Sequence, residues 1–180
     1  MDLWLAPHDA RVRGIRELGI GFYRSPFGDC AALATEDRLV ALRFTNDRES
    51  ASEAFAKEWP EATLRQSEQA GEFVRQVLED PRSVPLLAIG TPFQLSVWEF
   101  LRCRLSAVTM TYGEVAREIG RPTAARAVGR AVGANGIAVL IPCHRVVSQG
   151  KLTGYRWGLE RKKALLAWEL SRRNPLEMPF

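Results

Sequence analysis

The stretch IAVLIPCHRVVSQG, residues 137–150, decides how this chain is to be read. An apolar run leads into Pro142, Cys143, His144 and Arg145, and apolar character returns with Val146 and Val147. Residues 137–141 read as the end of a buried strand, with a thiol, an imidazole and a guanidinium placed directly after it. A free thiol has a pKa of about 8.5, so attack at neutral pH needs a nearby base or a lowered pKa. His144 can supply the base. In an extended chain, however, neighbouring side chains point to opposite faces. A bridging water, or a kink set by Pro142, is needed to join thiol and ring. The ring in turn needs an acid to orient it. Glu169 is the acid of the inward-looking stretch LLAWEL, 165–170. Glu160 is the competitor, but an acid at a helix start is explained by the dipole. The plain alternative is a buried structural thiol beside a satisfied core histidine.

Working outward, TPFQLSVWEFLRCRL (91–105) carries a helix signature, with Thr91 as N-cap, Pro92 at the first position, and Phe93, Val97, Phe100 and Leu101 on one face. In TYGEVAREIG (111–120), Thr111 and Glu114 have capping-box spacing and Gly120 is the stop. Pro122 opens a third helical segment, TAARAVGRAVGANG (123–136). Two short helices separated by Gly120, Arg121 and Pro122 resemble a helix-turn-helix. The second carries Ala124, Ala125, Ala127 and Gly129, with Arg126 and Arg130 one turn apart. Small side chains allow close approach to another surface, and the arginines can meet phosphates or fill a gap in a base stack. Close helix packing with two solvated arginines is the alternative. A loop, SQGKLTGYRWG (148–158), follows the Cys–His pair, then a last helix, LERKKALLAWELSRR (159–173), and a frayed tail, NPLEMPF (174–180).

Toward the N-terminus, GDCAALATEDRLVALRFTND (28–47) reads as a hairpin turning at Thr35–Arg38. SASEAFAKEW (50–59) and SEQAGEFVRQVLED (67–80) are helical by spacing, and Pro81 stops the second. SVPLLAIG (83–90) is a short strand or linker, and residues 1–18 read as a loosely ordered lead-in. The chain of 180 residues is 46% hydrophobic, enough for a real core. The expected architecture is α/β (α+β): a small sheet-and-helix domain over 1–89, then a mainly helical domain over 90–180.

Charge separates the same two parts. Residues 1–90 hold 11 Lys+Arg against 15 Asp+Glu, a net of −4, and residues 91–180 hold 14 against 6, a net of +8. The second part is the one suited to a polyanion. Three widely spaced cysteines, Cys30, Cys103 and Cys143, form neither a disulfide framework nor a metal cluster and suit a reducing cytoplasm. Cys30 and Cys103 read as inert core thiols. No apolar run approaches the roughly 20 residues of a membrane span. The start, MDLWLAPHDARVRG (1–14), lacks the pattern of a signal peptide.

IPCHRVV (141–147) resembles the active-site signature of the O6-alkylguanine-DNA alkyltransferases. TPFQLSVWEFLR, TYGEVAREIG, AARAVGRAVGANG and GYRWGLERKKALLAWE resemble the same family in the same order. GYRWG is similar to the C-terminal half of the Ada-type proteins. The resemblance implies that Cys143 accepts an alkyl group, that His144 deprotonates it through a water, and that Glu169 holds the imidazole. It implies that Arg126 enters the duplex in place of an extruded nucleotide, flanked by Ala125, Ala127 and Arg130 on the binding helix. Tyr112 would crowd a phosphate and protonate the guanine ring, and Asn135 would brace the turn before the signature. Backbone groups at Cys143 and Val146 would read the guanine edge beside Pro142. Tyr155 would form a pocket wall, with the amide of Arg156 facing the guanine oxygen. The implied function is single-turnover repair of O6-alkylguanine, with O4-alkylthymine as a further substrate, in double-stranded DNA approached through the minor groove. The protein would be monomeric without DNA and would need no metal or cofactor.

The departures are specific. The loop CRLSAVTMTYG (103–113) lacks the Pro and Gly that the family usually places before the tyrosine segment. Residues 1–90 hold one cysteine and one histidine, so the Cys-rich metal site of Ada-type N-terminal regions is absent. Two other classes of function stand beside repair. One is a module that flips and binds alkylated bases without transfer. The other is a thiol hydrolase with multiple turnover.

Overall fold

The computed structural model describes residues 2–7, 9–104, 108–149, 151–152 and 154–172. In chain order the elements are β1 (Leu3–Leu5), α1 (Ala10–Arg13), β2 (Glu17–Ser25), β3 (Gly28–Ala34), β4 (Leu39–Phe44), α2 (Arg48–Glu58), β5 (Thr63–Gln66), α3 (Glu68–Glu79), β6 (Leu87–Ile89), α4 (Pro92–Cys103), β7 (Met110–Thr111), α5 (Tyr112–Glu118), α6 (Ala125–Ala134), a single 3-10 turn (Cys143–Arg145), β8 (Val146–Val147) and α7 (Leu159–Ser171).

The main sheet has the order β4-β3-β2-β5, antiparallel except that β5 runs parallel to β2. The hairpin of β3 and β4 turns where the sequence places it, with the Thr35 amide donating to the Arg38 carbonyl at 2.9 Å. Strand β3 is buried on both faces. Cys30, Ala32 and Ala34 pack with Phe73, Val74 and Val77 of α3. Ala31 and Leu33 pack with Phe55 of α2 on the other side. Small alanines suit this central strand, because layers press on both its faces. Helix α2 is capped by Asp47 and α3 by Ser67.

Strand β2 is not evident from the sequence. Its glycines suggest a break, yet they serve contact: a Cβ on Gly21 would lie 2.4 Å from the Gly71 amide nitrogen of α3. The helix sits close enough to this strand that only glycine fits. The lead-in also has structure. Strand β1 pairs in parallel with β6, and the Asp2 carboxylate accepts from Arg102 Nε at 2.7 Å.

Three features carry the sheet to the second part of the chain. Strand β4 is an edge strand, and the segment before the signature covers it: the Leu42 amide donates to the Gly136 carbonyl at 3.0 Å, and the Ala138 amide donates to the Leu42 carbonyl at 2.8 Å. The main core runs through both parts, from Phe44 and Val77 to Val97, Val139 and Leu165. Trp98 of α4 donates its indole N–H to the Ala131 carbonyl of α6 at 2.8 Å.

Residues 137–141 are not a strand. Ile137 makes one bridge to Leu42, and the chain then turns with Val139 at φ 68, a rare conformation for a β-branched residue. A short apolar run between turn signals fits a strand or a buried turn equally well. Helix α6 starts at Ala125, after residues 119–124 link it to α5, on which it packs. Cys103 is exposed, at the end of α4, and so is not a core thiol; Cys30 is buried. Residues 105–107 of the departing loop, Gly150, Thr153 and the tail 173–180 lie outside the described residues.

Candidate active site

The signature folds as a 3-10 turn over Cys143–Arg145, with Pro142 before it at φ −79, ψ 61. Side chains of such a turn advance by roughly 120° per residue, against 180° in a strand. Cys143 and His144 therefore diverge without facing opposite ways. Both are buried, Cys143 at 4% exposure and His144 at 0%.

His144 Nε2 lies 2.7 Å from Glu169 Oε1 on α7. The same carboxylate is gripped by Arg145, whose Nε donates to Oε2 at 2.8 Å and whose Nη2 donates to Oε1 at 3.0 Å. Burial pushes the Glu169 carboxyl up, but the hydrogen bonds and charges of His144 and Arg145 outweigh it and hold the pKa at about 2. An ionised carboxylate only accepts, so Nε2 carries the hydrogen and Nδ1 is the ring nitrogen left to exchange a proton. Nδ1 is buried and has no hydrogen-bond partner among the described residues. Glu160 sits at the start of α7, exposed, and pairs with Lys163 instead.

The thiol has a different partner. Asn135 Nδ2 donates to Cys143 Sγ at 3.1 Å and to the Ile141 carbonyl at 2.9 Å, while Asn135 Oδ1 accepts from the Ile137 amide at 2.9 Å. One buried amide thus braces the turn and touches the sulfur. Burial pushes the Cys143 thiol up to about 11, opposed by the Asn135 hydrogen bond and the Lys162 charge. The sulfur is not intrinsically acidic, so its activation depends on a base.

The parallel pair of β7 with β8 sets Thr111 against Val147, which delivers Tyr112 beside the signature. Thr111 caps α5 in the expected box with Glu114. The Tyr112 hydroxyl lies 3.8 Å from where a Cβ on Gly154 would sit, so α5 meets the loop after the signature. Burial and the neighbouring Cys143 raise the Tyr112 pKa. Tyr155 stands edge-on to His144, ring centroids 6.5 Å apart, and its buried hydroxyl has no partner among the described residues.

The remaining candidates lie further out. Arg126 and Arg130 are exposed on α6, with Ala125 and Ala127 partly covered. The exposed Arg156 lines a cavity of about 200 Å³ together with Asn135, Gly136 and Ile141. Pro142 and Val146 are buried.

Two residues of the site have roles that the sequence does not disclose. Arg145 stands in the signature, but its grip on Glu169 spans 24 positions. Lys162 is fully buried; its Nζ donates to the Val146 carbonyl at 2.7 Å and to the Gly154 carbonyl at 3.2 Å. It ties the signature to the loop that follows. The helical period is its one sequence signal: Lys162, Leu165 and Glu169 recur at spacings of three and four. Burial lowers its pKa, against the pull of Cys143.

Comparison with known proteins assigns the family. Residues 92–171 match the family described as 6-O-methylguanine DNA methyltransferase, DNA binding domain. Residues 19–78 match the ribonuclease-like domain of the same methyltransferase. The chain is 39% identical over 155 residues to a methylated-DNA–protein-cysteine methyltransferase of Mycolicibacterium paratuberculosis, covering 86% of this chain and 93% of that one. It is 36% identical over 150 residues to the bifunctional transcriptional activator/DNA repair enzyme Ada of Escherichia coli, covering 79% of this chain and 42% of that protein. The crystal structure of Mycobacterium tuberculosis OGT in complex with DNA superposes with a TM-score of 0.71 at 34% identity, covering 87% of this chain and 96% of that one. With a relative of this identity matched along nearly its whole length, and both domains found in order, the chain belongs to the 6-O-methylguanine DNA methyltransferase family.

Proposed function

We propose that Cys143 is the alkyl acceptor of a direct-reversal DNA repair protein that acts once per molecule. The carrying observation is a buried thiol followed directly in the chain by a buried imidazole whose Nε2 is fixed on an ionised carboxylate. Glu169 keeps Nε2 protonated, so Nδ1 is the nitrogen left to take the thiol proton, across a bridging water. The thiolate attacks the alkyl carbon of O6-alkylguanine (or O4-alkylthymine). An S–C bond forms and the C–O6 bond breaks, with its electron pair passing into the guanine ring. Tyr112 donates the proton that the departing ring takes up, and the proton held on His144 restores the balance. Cys143 ends as a thioether, and no described group is placed to cleave it.

The base must leave the stack to reach a buried sulfur, at a cost of a few kcal/mol. The exposed Arg126 would fill the gap from the minor groove, with Ala125 and Ala127 allowing close approach and Arg130 meeting phosphate. In this reading α5 and α6 are the helix-turn-helix. Asn135 holds the turn, Tyr155 walls the pocket, and the amide of Arg156 faces the guanine oxygen. The carbonyls of Cys143 and Val146 read the base edge beside Pro142. Val146 can do so while bound to Lys162, because a carbonyl has two lone pairs. The division into domains 1–89 and 90–180 is supported by the family matches on either side of Gly90. We assign the protein to the cytoplasm and expect a monomer in the absence of DNA; no described helix is long and apolar enough to cross a membrane.

Mass spectrometry of the intact chain after exposure to O6-methylguanine duplex tests the reading. One added methyl group per chain, on the Cys143 peptide, is expected. Tight binding without transfer would instead mark a module that only recognises damage, and multiple turnover would mark a hydrolase.

A further inference from the structure

Arg161 lies on α7 one residue before the buried Lys162, and the mechanism does not use it. Its side chain reaches back across the molecule. Nε donates to the Phe27 carbonyl at 3.0 Å, in the turn between β2 and β3. Nη2 donates to Asn46 Oδ1 at 2.9 Å, just after β4. Nη1 donates to the Trp157 carbonyl at 3.0 Å, in the loop that carries Tyr155. The guanidinium also lies 5.5 Å from the centroid of the Phe44 ring. Gly28 packs against it so closely that a Cβ there would sit 3.0 Å from Nη2.

Its hydrogen-bond acceptors are neutral, so charge pairing does not explain the residue. What selects arginine is a planar fork that donates in three directions at once. Aromatic contacts run alongside the fork. Phe44 meets Trp157 edge-on at 6.0 Å, Trp157 meets Tyr155 at 5.3 Å, and Tyr155 meets His144 at 6.5 Å. The loop's carbonyl and its rings are thus both held from the N-terminal sheet.

We infer that Arg161 is a positioning residue through which the N-terminal sheet sets the loop bearing Tyr155. The inference rests on the reading of Tyr155 as the pocket wall. It gives the 1–89 part a definite role, because its strand ends anchor a wall that the other part of the chain contributes.

The test uses the full chain and free O6-benzylguanine, with benzylation of Cys143 followed by intact mass at increasing substrate concentration. Arg161→Met is expected to raise the half-saturating concentration roughly tenfold, as expected for lost hydrogen bonds. The limiting rate at saturation should hold within about twofold, because the thiol and its base are untouched. Arg161→Lys should resemble Arg161→Met, since a point donor cannot span three acceptors. Asn46→Ala should give a smaller rise. The last two variants carry the test if Arg161→Met fails to fold. A general loss of stability lowers the fraction of chains that react and leaves half-saturation where it was. The inference is overturned if half-saturation is unchanged in these variants, or if the limiting rate falls in step with it. If the wild type itself takes up no benzyl group, the alkyl-acceptor reading fails first and this one with it.

Discussion

Glu169 binds His144 and Arg145 with one carboxylate: Oε1 is 2.7 Å from the imidazole Nε2, and Arg145 closes on both oxygens. The Glu169 side chain is 9% exposed and that of His144 0%. The strength of the contact follows from that burial, since charge-assisted hydrogen bonds gain when water is excluded.

Because the Glu169 pKa is about 2 in the fold, against an ordinary 4.5, its contribution to stability has a defined pH window. A depressed acid stabilises fully above its unfolded pKa and loses the effect as pH falls through the folded one. The wild type should therefore lose on the order of 3 kcal/mol between about pH 5 and pH 2 from this group. Urea melts of wild type and Glu169→Gln across that range should converge at the acid end. Parallel curves would show that the carboxyl is not the titrating group.

The high thiol pKa, about 11, makes the base indispensable at neutral pH. Replacing His144 with Gln removes the proton acceptor and keeps a polar side chain. Alkyl transfer should then fall at least about a hundredfold at pH 7. It should rise by roughly tenfold per pH unit toward pH 10, as thiolate forms without help. Single-turnover rates against pH read this directly; a flat profile in the variant would mean that His144 does not carry the proton.

Asn135 is 1% exposed and serves the Ile137 amide, the Ile141 carbonyl and the Cys143 sulfur. Asn135→Ala leaves the Ile137 amide unpaired, while the Ile141 carbonyl keeps the Cys143 amide at 2.7 Å, beside a turn that already holds Val139 at φ 68. A loss of about 1–3 kcal/mol is expected in denaturant unfolding. A change below about 1 kcal/mol would show that the turn holds its shape without the amide.

Arg126→Ala should weaken repair of duplex DNA far more than reaction with a free benzylated guanine base. Only the duplex requires a base to be expelled and its gap filled. Rate constants for the two substrates decide it, and equal losses on both would remove Arg126 from that role.

Much of the chain is legible in sequence because its signals act within a few residues. The Thr91 and Thr111 caps, the β3–β4 turn at Thr35–Arg38, and α3 ending before Pro81 all depend on neighbours one to four positions away. The thiol–imidazole pair and the one acid on an inward helical stretch are visible for the same reason. Strand β2 is hidden because its glycines report on α3, a contact across the fold. The apolar run 137–141 reads as a strand because hydrophobicity records burial and not φ; the turn at Val139 is set by Leu42 and Asn135.

Local order, the signature and the split of charge are thus written in the chain's own neighbourhoods. Three meetings need the folded molecule: Leu42 with Gly136 and Ala138, Glu169 with both His144 and Arg145, and Arg161 with Phe27 across 134 positions. Pairings at such separation leave no periodic trace in sequence. They exist because a shared core brings an edge strand, a turn and the last helix to one place, where burial gives each hydrogen bond its weight.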